Sequence, residues 1–244
     1  MSEAYQLIAG GNAPVLIVAD HASAHVPADI DLGIAPHLLN EHVAVDLGVA
    51  EVAALLAEQL GCRAILGGVS RLVLDLNREE DHPTLIPQSS DGHIIAGNLE
   101  CDRQERIERF YRPYHARLDA LIAELGHPFI VSLHSFTPQL ASDPSQKRPW
   151  EIGVLYNEDD RGARIAIPLL EQAGLVVGDQ LPYSGKQLNF TMNHHVEARG
   201  LPYLGVEMRQ DMSGTAQGQA RYADILATVV QRCHASLQPR AQRA

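Results

Sequence analysis

Residues 14–27 constrain the fold more than any other part of the sequence. Four branched apolar residues at positions 15–18 follow a proline and lead into Asp20 and His21. Such a run predicts a short strand buried on both faces, as in the parallel sheets of α/β proteins. We expect it to be the central strand of the sheet. His21 would then lie beyond the carboxyl end of that strand, where open α/β sheets bind their ligands.

Composition limits the class of protein. We interpret the 244 residues as one domain over residues 1–244 with a large core. The net charge of −11 argues against nucleic acid or an anionic membrane as the main partner. The cysteines are three in number and widely separated, which indicates neither a disulfide framework nor a cysteine zinc site. No apolar run approaches the roughly 20 residues of a membrane span, so we expect a cytoplasmic protein.

Short apolar runs alternate with helical periodicity along the chain. Further strands are predicted at residues 63–66, 72–76, 129–136, 152–156, 176–177 and 203–209. Helices are predicted at residues 41–60, 102–125, 163–173 and 215–237, with a short one through His194 and Glu197. Residues 81–98 form a long loop of the kind that often borders a site. The alternation predicts an α/β fold, a three-layer sandwich with a central mixed, largely parallel sheet.

Polar side chains follow several of the predicted strands. They are His21, Asn77, Arg78, His134, Glu207 and Arg209. Asp46, four residues after His42, interrupts the apolar stripe of the predicted helix at residues 41–60. A carboxylate that faces a core is costly unless it is paired or bound to a metal. Each residue alone has an ordinary structural explanation, but the set is hard to explain through stability and therefore predicts a site.

The residue types in this set match one kind of chemistry. Two imidazoles and one carboxylate are the ligands of a catalytic zinc site, which keeps its fourth position open for water. Zinc lowers the pKa of that water and polarises a carbonyl oxygen, so amide or ester hydrolysis is the expected reaction. Glu207 is the candidate for moving the proton of the water to the leaving nitrogen. Arg71, Arg78 and Arg209 are available for a substrate carboxylate or an oxyanion.

Five short segments carry a resemblance to a known family. They are Asp-His-Ala-Ser at residues 20–23, Ser-Arg-Leu-Val-Leu-Asp-Leu-Asn-Arg at 70–78, Tyr-Arg-Pro-Tyr-His at 111–115, Ser-Leu-His-Ser-Phe at 132–136 and Val-Glu-Met-Arg at 206–209. Together they resemble the N-formylglutamate amidohydrolase family over about residues 14–211. That family is similar in fold to zinc carboxypeptidases and aspartoacylases. The resemblance implies a phosphorylase/hydrolase-like sandwich and a zinc-dependent enzyme that cleaves N-formyl-L-glutamate to glutamate and formate.

The resemblance also implies roles for individual residues. Asn77 and Arg78 resemble the aspartoacylase pair that holds a substrate carboxylate. Arg71 would assist the oxyanion and Glu207 would be the general base. His115 would line the pocket. The expected partner is a small N-acyl amino acid, and no particular oligomeric state is indicated.

The sequence departs from the carboxypeptidase and aspartoacylase pattern at one position. That pattern has a glutamate ligand three residues after the first histidine, where this chain has Ala24. We predict that Asp46 is the third Zn²⁺ ligand beside His21 and His134, because its carboxylate is expected to face the core. His25 and His42 are the alternatives to Asp46.

Other functions remain open at this point. One is a related zinc acylase or peptidase with a different substrate. Another is a non-catalytic module that binds a carboxylate and has lost the metal, which Ala24 favours. A serine hydrolase is the weakest alternative because Ser23, Ser132 and Ser135 lie in no Gly-x-Ser-x-Gly motif.

Overall fold

The computed structural model describes residues 3–140, 143 and 145–238. Seven strands form the main sheet in the order β1-β3-β2-β6-β9-β7-β8, and β4 pairs with β5 in a separate hairpin. The strands are β1 (Tyr5–Ile8), β2 (Val15–Ala19), β3 (Arg63–Gly67), β4 (Ser89–Ser90), β5 (His93–Ile94), β6 (Phe129–Phe136), β7 (Ile152–Leu155), β8 (Val177–Asp179) and β9 (Tyr203–Arg209). The helices are α1 (Val49–Leu60), α2 (Arg103–Arg106), α3 (Arg112–Leu125), α4 (Arg161–Gln172), α5 (Phe190–His195), α6 (Gln210–Ser213) and α7 (Ala216–Leu237).

Strand directions confirm a mixed, largely parallel sheet. β3, β2, β6 and β9 are parallel neighbours. β1 pairs antiparallel with β3, and β7 pairs antiparallel with β9 but parallel with β8. Every residue of β2 is buried, as its apolar run predicts. The middle position of the sheet belongs to β6, so β2 lies one position away from the expected centre.

Two apolar clusters cover the two faces of the sheet. Val15, Ile17 and Ala19 of β2 pack with α1, α4 and α7 on one face. Leu16 and Val18, which alternate with them, pack with α3 and α5 on the other face. The predicted three-layer sandwich is therefore confirmed. None of the helices within the described residues is long and apolar enough to cross a bilayer.

The helix predicted at residues 41–60 is shorter than its periodicity suggests. α1 begins only at Val49, after Gly48 adopts a left-handed φ of 81°. A Cβ at Gly48 would lie 1.8 Å from the carbonyl oxygen of Ser213, so close packing of the backbone requires glycine there. His42 consequently lies in a turn and Asp46 in a loop, so they do not share a helix face. The prediction was wrong because a tertiary contact, which local spacing does not record, sets the helix start.

The strand predicted at residues 72–76 is a buried turn. Leu72 N donates to Ser70 Oγ at 3.2 Å, and Val73 N donates to Ser70 O at 2.8 Å. These bonds within the turn replace the ladder that a strand would form. Asn77 and Arg78 therefore follow a turn and not a strand.

The remaining predicted elements correspond well to the structure. Residues 102–125 form α2, a π-helical segment at Ile107–Tyr111 and α3. Pro113 lies in the first turn of α3, where its missing N–H is tolerated. Residues 81–98 form the predicted loop apart from the β4–β5 hairpin and a short 3-10 turn at Ala96–Asn98.

Candidate active site

The carboxyl ends of three parallel strands bring the main candidates together. His21 follows β2, His134 lies near the end of β6 and Glu207 lies on β9. β2 pairs with β6, and His134 is the register partner of Glu207. His21, His134 and Glu207 therefore meet at one edge of the sheet.

His21, Asp46 and His134 form a buried cluster. One potential ligand atom from each lies within 4.8 Å of the other two. Asp46 Oδ2 lies 2.9 Å from His134 Nδ1 and 3.5 Å from His21 Nδ1. The backbone N–H of Asp46 donates to His21 O at 2.9 Å, which places this loop residue beside the strand ends. The cluster could hold a metal ion, with Nδ1 as the ligand atom of each imidazole.

A carboxylate lies behind each of the two imidazoles. Asp75 Oδ1 is 2.6 Å from His21 Nε2. Asp20 Oδ2 is 3.5 Å from His134 Nε2, and the hydroxyl of Tyr114 donates to Asp20 Oδ1 at 2.6 Å. A carboxylate at Nε2 favours the tautomer whose Nδ1 carries the lone pair. This is the arrangement that orients metal-binding histidines in proteins.

The carboxylates and imidazoles of the cluster shift one another's pKa values. Burial disfavours protonation of His134, but the carboxylates of Asp20 and Asp46 outweigh burial and raise the pKa of His134 well above the usual value. Burial also disfavours ionisation of Asp46, yet the nearby His21 and His134 hold the pKa of Asp46 far below its usual value. A cation is therefore stabilised between these side chains, whether it is a proton or a metal ion.

Arg71 links two carboxylates of the site. Its guanidinium donates to Asp46 Oδ1 at 3.3 Å and to Asp75 Oδ2 at 3.0 Å. The first contact is with a member of the cluster and the second with the carboxylate behind His21. The guanidinium is thus held in place by both ion pairs while it lines the cavity described below.

Glu207 is a buried carboxylate without a strong partner. The residue is 8% exposed, and its Oε2 has no hydrogen-bond partner among the described residues. Burial raises the pKa of Glu207 to about 7, although the nearby His134 acts in the opposite direction. A carboxylate with such a pKa can both accept and release a proton near neutral pH.

A cavity of about 270 Å³ opens onto these groups. The predicted site residues that line it are His21, Asp46, Arg71, Asn77, Arg78, His134 and Glu207, together with His42. The backbone N–H of Thr191 donates to Asn77 Oδ1 at 2.9 Å, and Tyr111 Oη donates to Arg78 O at 2.9 Å. Contacts with other segments therefore position the loop that carries Asn77 and Arg78.

Two predicted substrate-binding residues lie outside the cavity lining. Arg209 Nε donates to Asp211, and its Nη1 donates to the carbonyls of Pro149 and Trp150. His115 is buried against α5, where its Nδ1 lies 2.8 Å from His195 Nε2. The side chains of both residues are directed to partners that the sequence motifs do not reveal.

The alternatives for the third ligand are also placed. His25 is exposed and His42 Nε2 pairs with Asp91 at 3.0 Å, so neither joins the cluster. Of the adjacent His194 and His195, only His195 is buried.

Sequence reasoning missed the carboxylates behind the histidines. Asp20 and Asp75 were quoted in the motifs but were given no role. The direct adjacency of Asp20 to His21 and the position of Asp75 before Asn77 were the available signals. Neither signal says which imidazole a carboxylate contacts. Asp20 in fact lies behind the imidazole of the neighbouring strand, that of His134.

Solved structures with the same fold have been found. A gene product of Agrobacterium tumefaciens has a TM-score of 0.89 and 31% sequence identity, over 97% of this chain and 96% of that chain. The N-formylglutamate amidohydrolase from Ralstonia eutropha has a TM-score of 0.72 and 20% identity, over 96% of this chain and 98% of that chain. The second likeness supports the fold alone, and the first extends to sequence.

Sequence comparison identifies the family. No curated protein sequence matches the chain. The family model described as N-formylglutamate amidohydrolase matches residues 13–213, which include every candidate site residue named above. The chain therefore belongs to the N-formylglutamate amidohydrolase family and is a hydrolase that acts on amide bonds.

Proposed function

We propose that the protein is a zinc-dependent amidohydrolase that converts N-formyl-L-glutamate to glutamate and formate. The observation that carries this proposal is the cluster of His21, Asp46 and His134 beside Glu207 in one cavity. Family membership supports the reaction type. The cavity volume of about 270 Å³ suits a small N-acyl amino acid.

The donor set fits Zn²⁺. Two imidazole nitrogens and one carboxylate oxygen are typical ligands of catalytic zinc, and His21 Nδ1 is buried without a hydrogen-bond partner in the described part of the chain. His21, Asp46 and His134 would hold the ion, while Asp75 and Asp20 orient the imidazoles. When bound, zinc would polarise the amide carbonyl and lower the pKa of a water molecule.

Glu207 supplies the proton transfers in this proposal. Its carboxylate takes the proton of the attacking water and delivers it to the departing nitrogen. The pKa of about 7 that burial gives Glu207 suits both steps near neutral pH. Ser23 Oγ donates to Gly68 O and accepts from the backbone N–H of His25, and Ser132 Oγ and Ser135 Oγ have no partner in the described part of the chain. None of these hydroxyls is paired with an imidazole base there, so a serine nucleophile has no comparable support.

Arginine and amide groups hold the substrate. Asn77 and Arg78 bind the α-carboxylate, since both line the cavity on one loop. Arg71 stabilises the charge that develops on the carbonyl oxygen, because its two ion pairs fix the guanidinium in the cavity wall. In this proposal Asp46 supplies the carboxylate that the chain lacks at Ala24, and its place in the cluster favours the enzyme over a module without metal.

The composition of the chain supports a proposal for its domain organisation and its compartment. We propose that residues 1–244 form one domain that acts in the cytoplasm. The cysteines Cys62, Cys101 and Cys233 are free thiols, and a reducing compartment keeps thiols in this state.

Metal analysis and a formate-release assay test the proposal. We expect about one zinc per chain and formate release from N-formyl-L-glutamate. Glu207→Gln should lower kcat by about 100- to 10,000-fold and leave the zinc content unchanged, because a general base is lost while the metal ligands remain. His37→Ala, which changes an exposed histidine, is the matched control with wild-type activity.

Three outcomes would count against this proposal. Near-normal turnover of Glu207→Gln would exclude Glu207 as the base. A protein without zinc after zinc-supplemented expression would exclude the metal. Zinc without formate release would instead point to another N-acyl amino acid, which a panel of N-acetyl and N-succinyl substrates would identify.

A further inference from the structure

Arg148 is a buried cation next to the cavity. It is 7% exposed, and its Nη1 donates to Thr137 O at 3.2 Å and to the hydroxyl of Tyr183 at 2.9 Å. It forms no ion pair with any carboxylate in the described ranges 3–140, 143 and 145–238. A buried guanidinium is usually paired with an anion, because desolvation of an unpaired charge is costly.

A second buried arginine shows that burial alone does not indicate a ligand. Arg106 is 4% exposed, donates to Val73 O and Asn98 Oδ1, and also has no ion pair within the described residues. Neither of these acceptors belongs to a residue that lines the cavity. Thr137 and Tyr183, which accept from Arg148, both line it. Arg148 is thus an unpaired cation one hydrogen bond away from the substrate space.

Tyr183 presents a hydrogen-bond donor to the cavity. Its hydroxyl accepts from Arg148, so the hydroxyl proton is left for another acceptor, and none of the described residues provides one. The guanidinium carbon of Arg148 lies 4.9 Å from the ring centroid of Tyr183, so the arginine holds both the ring and the hydroxyl. Burial raises the pKa of Tyr183, which keeps the phenol protonated at neutral pH.

The arginines around the cavity differ in how well they are neutralised. Arg71 has close ion pairs with Asp46 and Asp75 at 3.3 and 3.0 Å. Arg78 has only a distant contact of 3.8 Å with Asp75. Arg148 has no carboxylate partner in the described part of the chain. Arg78 lies in the cavity wall and Arg148 lies directly behind Tyr183, which lines it. Two cations with unsatisfied charge, on separate segments, match a ligand that carries two carboxylates.

We propose that Tyr183, positioned by Arg148, binds the side-chain carboxylate of the N-acyl amino acid, while Asn77 and Arg78 hold the α-carboxylate. This inference rests on the proposed function and deepens it. Tyr183 is the binding residue and Arg148 is a positioning residue. Together they select an acidic amino acid over its uncharged amide.

Paired substrates test this assignment. N-formyl-L-glutamine has nearly the shape of N-formyl-L-glutamate but lacks the side-chain charge. Tyr183→Phe and Arg148→Met should each lower kcat/KM for N-formyl-L-glutamate by about 10- to 100-fold, mainly through a higher KM. The value for N-formyl-L-glutamine should change by less than about threefold. Arg148→Lys should recover part of the selectivity, because it retains the charge.

Controls separate recognition from stability. Arg106→Lys, a change at the matched buried arginine, should leave the glutamate-to-glutamine ratio unchanged. If Arg148→Met does not fold, Tyr183→Phe decides alone. An equal loss for both substrates, or an unchanged ratio in Tyr183→Phe, would overturn the inference while the proposed function stands. A wild-type enzyme that hydrolyses neither substrate would instead contradict the proposed function.

Discussion

The protein has two pairs of buried histidines, and only one of them belongs to the proposed zinc site. His21 and His134 lie at strand ends with their ring centroids 4.9 Å apart. His115 and His195 lie on α3 and α5, with their ring centroids also 4.9 Å apart. Both pairs contact carboxylates, since Asp119 Oδ1 lies 2.6 Å from His195 Nδ1. Burial and a carboxylate partner therefore do not distinguish a site from a packed core.

The difference lies in where the remaining nitrogens are directed. The Nδ1 atoms of His21 and His134 converge on Asp46 at the cavity. His115 Nδ1 is instead paired with His195 Nε2, so this pair does not present two free nitrogens to a third ligand. The electrostatics also differ: the pKa of His134 is raised, whereas burial lowers the pKa of His115 to about 3. A cation is stabilised at the first pair and excluded from the second.

Replacement of one histidine in each pair should give the largest difference in zinc content and activity between the two pairs. His134→Ala should lose the zinc and at least about 1,000-fold in kcat/KM, because metal catalysis contributes several kcal/mol. His115→Gln should keep about one zinc per chain. Elemental analysis and the formate assay measure both effects. Loss of zinc in His115→Gln would break the comparison.

Changes at the supporting carboxylates should give an intermediate contrast. Asp75→Asn leaves His21 without its charged partner and should weaken zinc affinity by about 10- to 100-fold. Asp119→Asn is the matched change at His195 and should leave zinc affinity unaltered. Competition with a chelator of known affinity measures the two values. Equal affinities in the two variants would mean that Asp75 has no special role.

The pH dependence of stability should give the smallest contrast. Because the folded-state pKa of His115 lies below the value of about 6.5 expected in the unfolded chain, the unfolded state takes up more protons as pH falls. The contribution of His115 to stability is therefore complete above pH about 6.5 and is lost towards lower pH. Urea unfolding of zinc-saturated protein at pH 7 and 5.5 measures it.

The variant His115→Gln separates the contribution of His115 to the pH dependence of stability from that of other titrating groups. Between pH 7 and 5.5 the wild type should lose about 1 kcal/mol more than His115→Gln, which has no imidazole to protonate at that position. A difference of opposite sign would show that His115 is protonated in the folded protein.

The sheet could be predicted because short apolar runs in the sequence mark its strands. β2, β6 and β9 are nearly continuous apolar runs, and their ends carried His21, His134 and Glu207. Residues 72–76 are equally apolar but form a turn. An apolar run indicates that a segment is buried, but it does not indicate that the segment is a strand. The start of α1 depends on the contact between Gly48 and Ser213, which is remote in sequence.

The site was predictable in part for the same reason. Asp46 was singled out from a helical stripe that does not exist, yet the cost of burying a carboxylate pointed to the residue that lies with His21 and His134 in the buried cluster. Arg209 was expected in the pocket because alternation along a strand places it on the face of Glu207. Its position at the strand end instead lets it reach the carbonyls of Pro149 and Trp150. Side-chain direction at an element end depends on neighbours that spacing does not specify.

The hydrogen bonds of Asp46 have a consequence for the proposed zinc site. Its N–H donates to His21 O and its Oδ2 accepts from Ser135 N, so backbone groups of both histidine-bearing segments fix this residue. Ligands that are ordered before an ion arrives lose little conformational entropy when they bind it. The rate of loading should then be limited by passage of the ion through the cavity mouth and not by rearrangement of the chain. The zinc occupancy of the site would then follow the concentration of free metal, as it does for a rigid chelator.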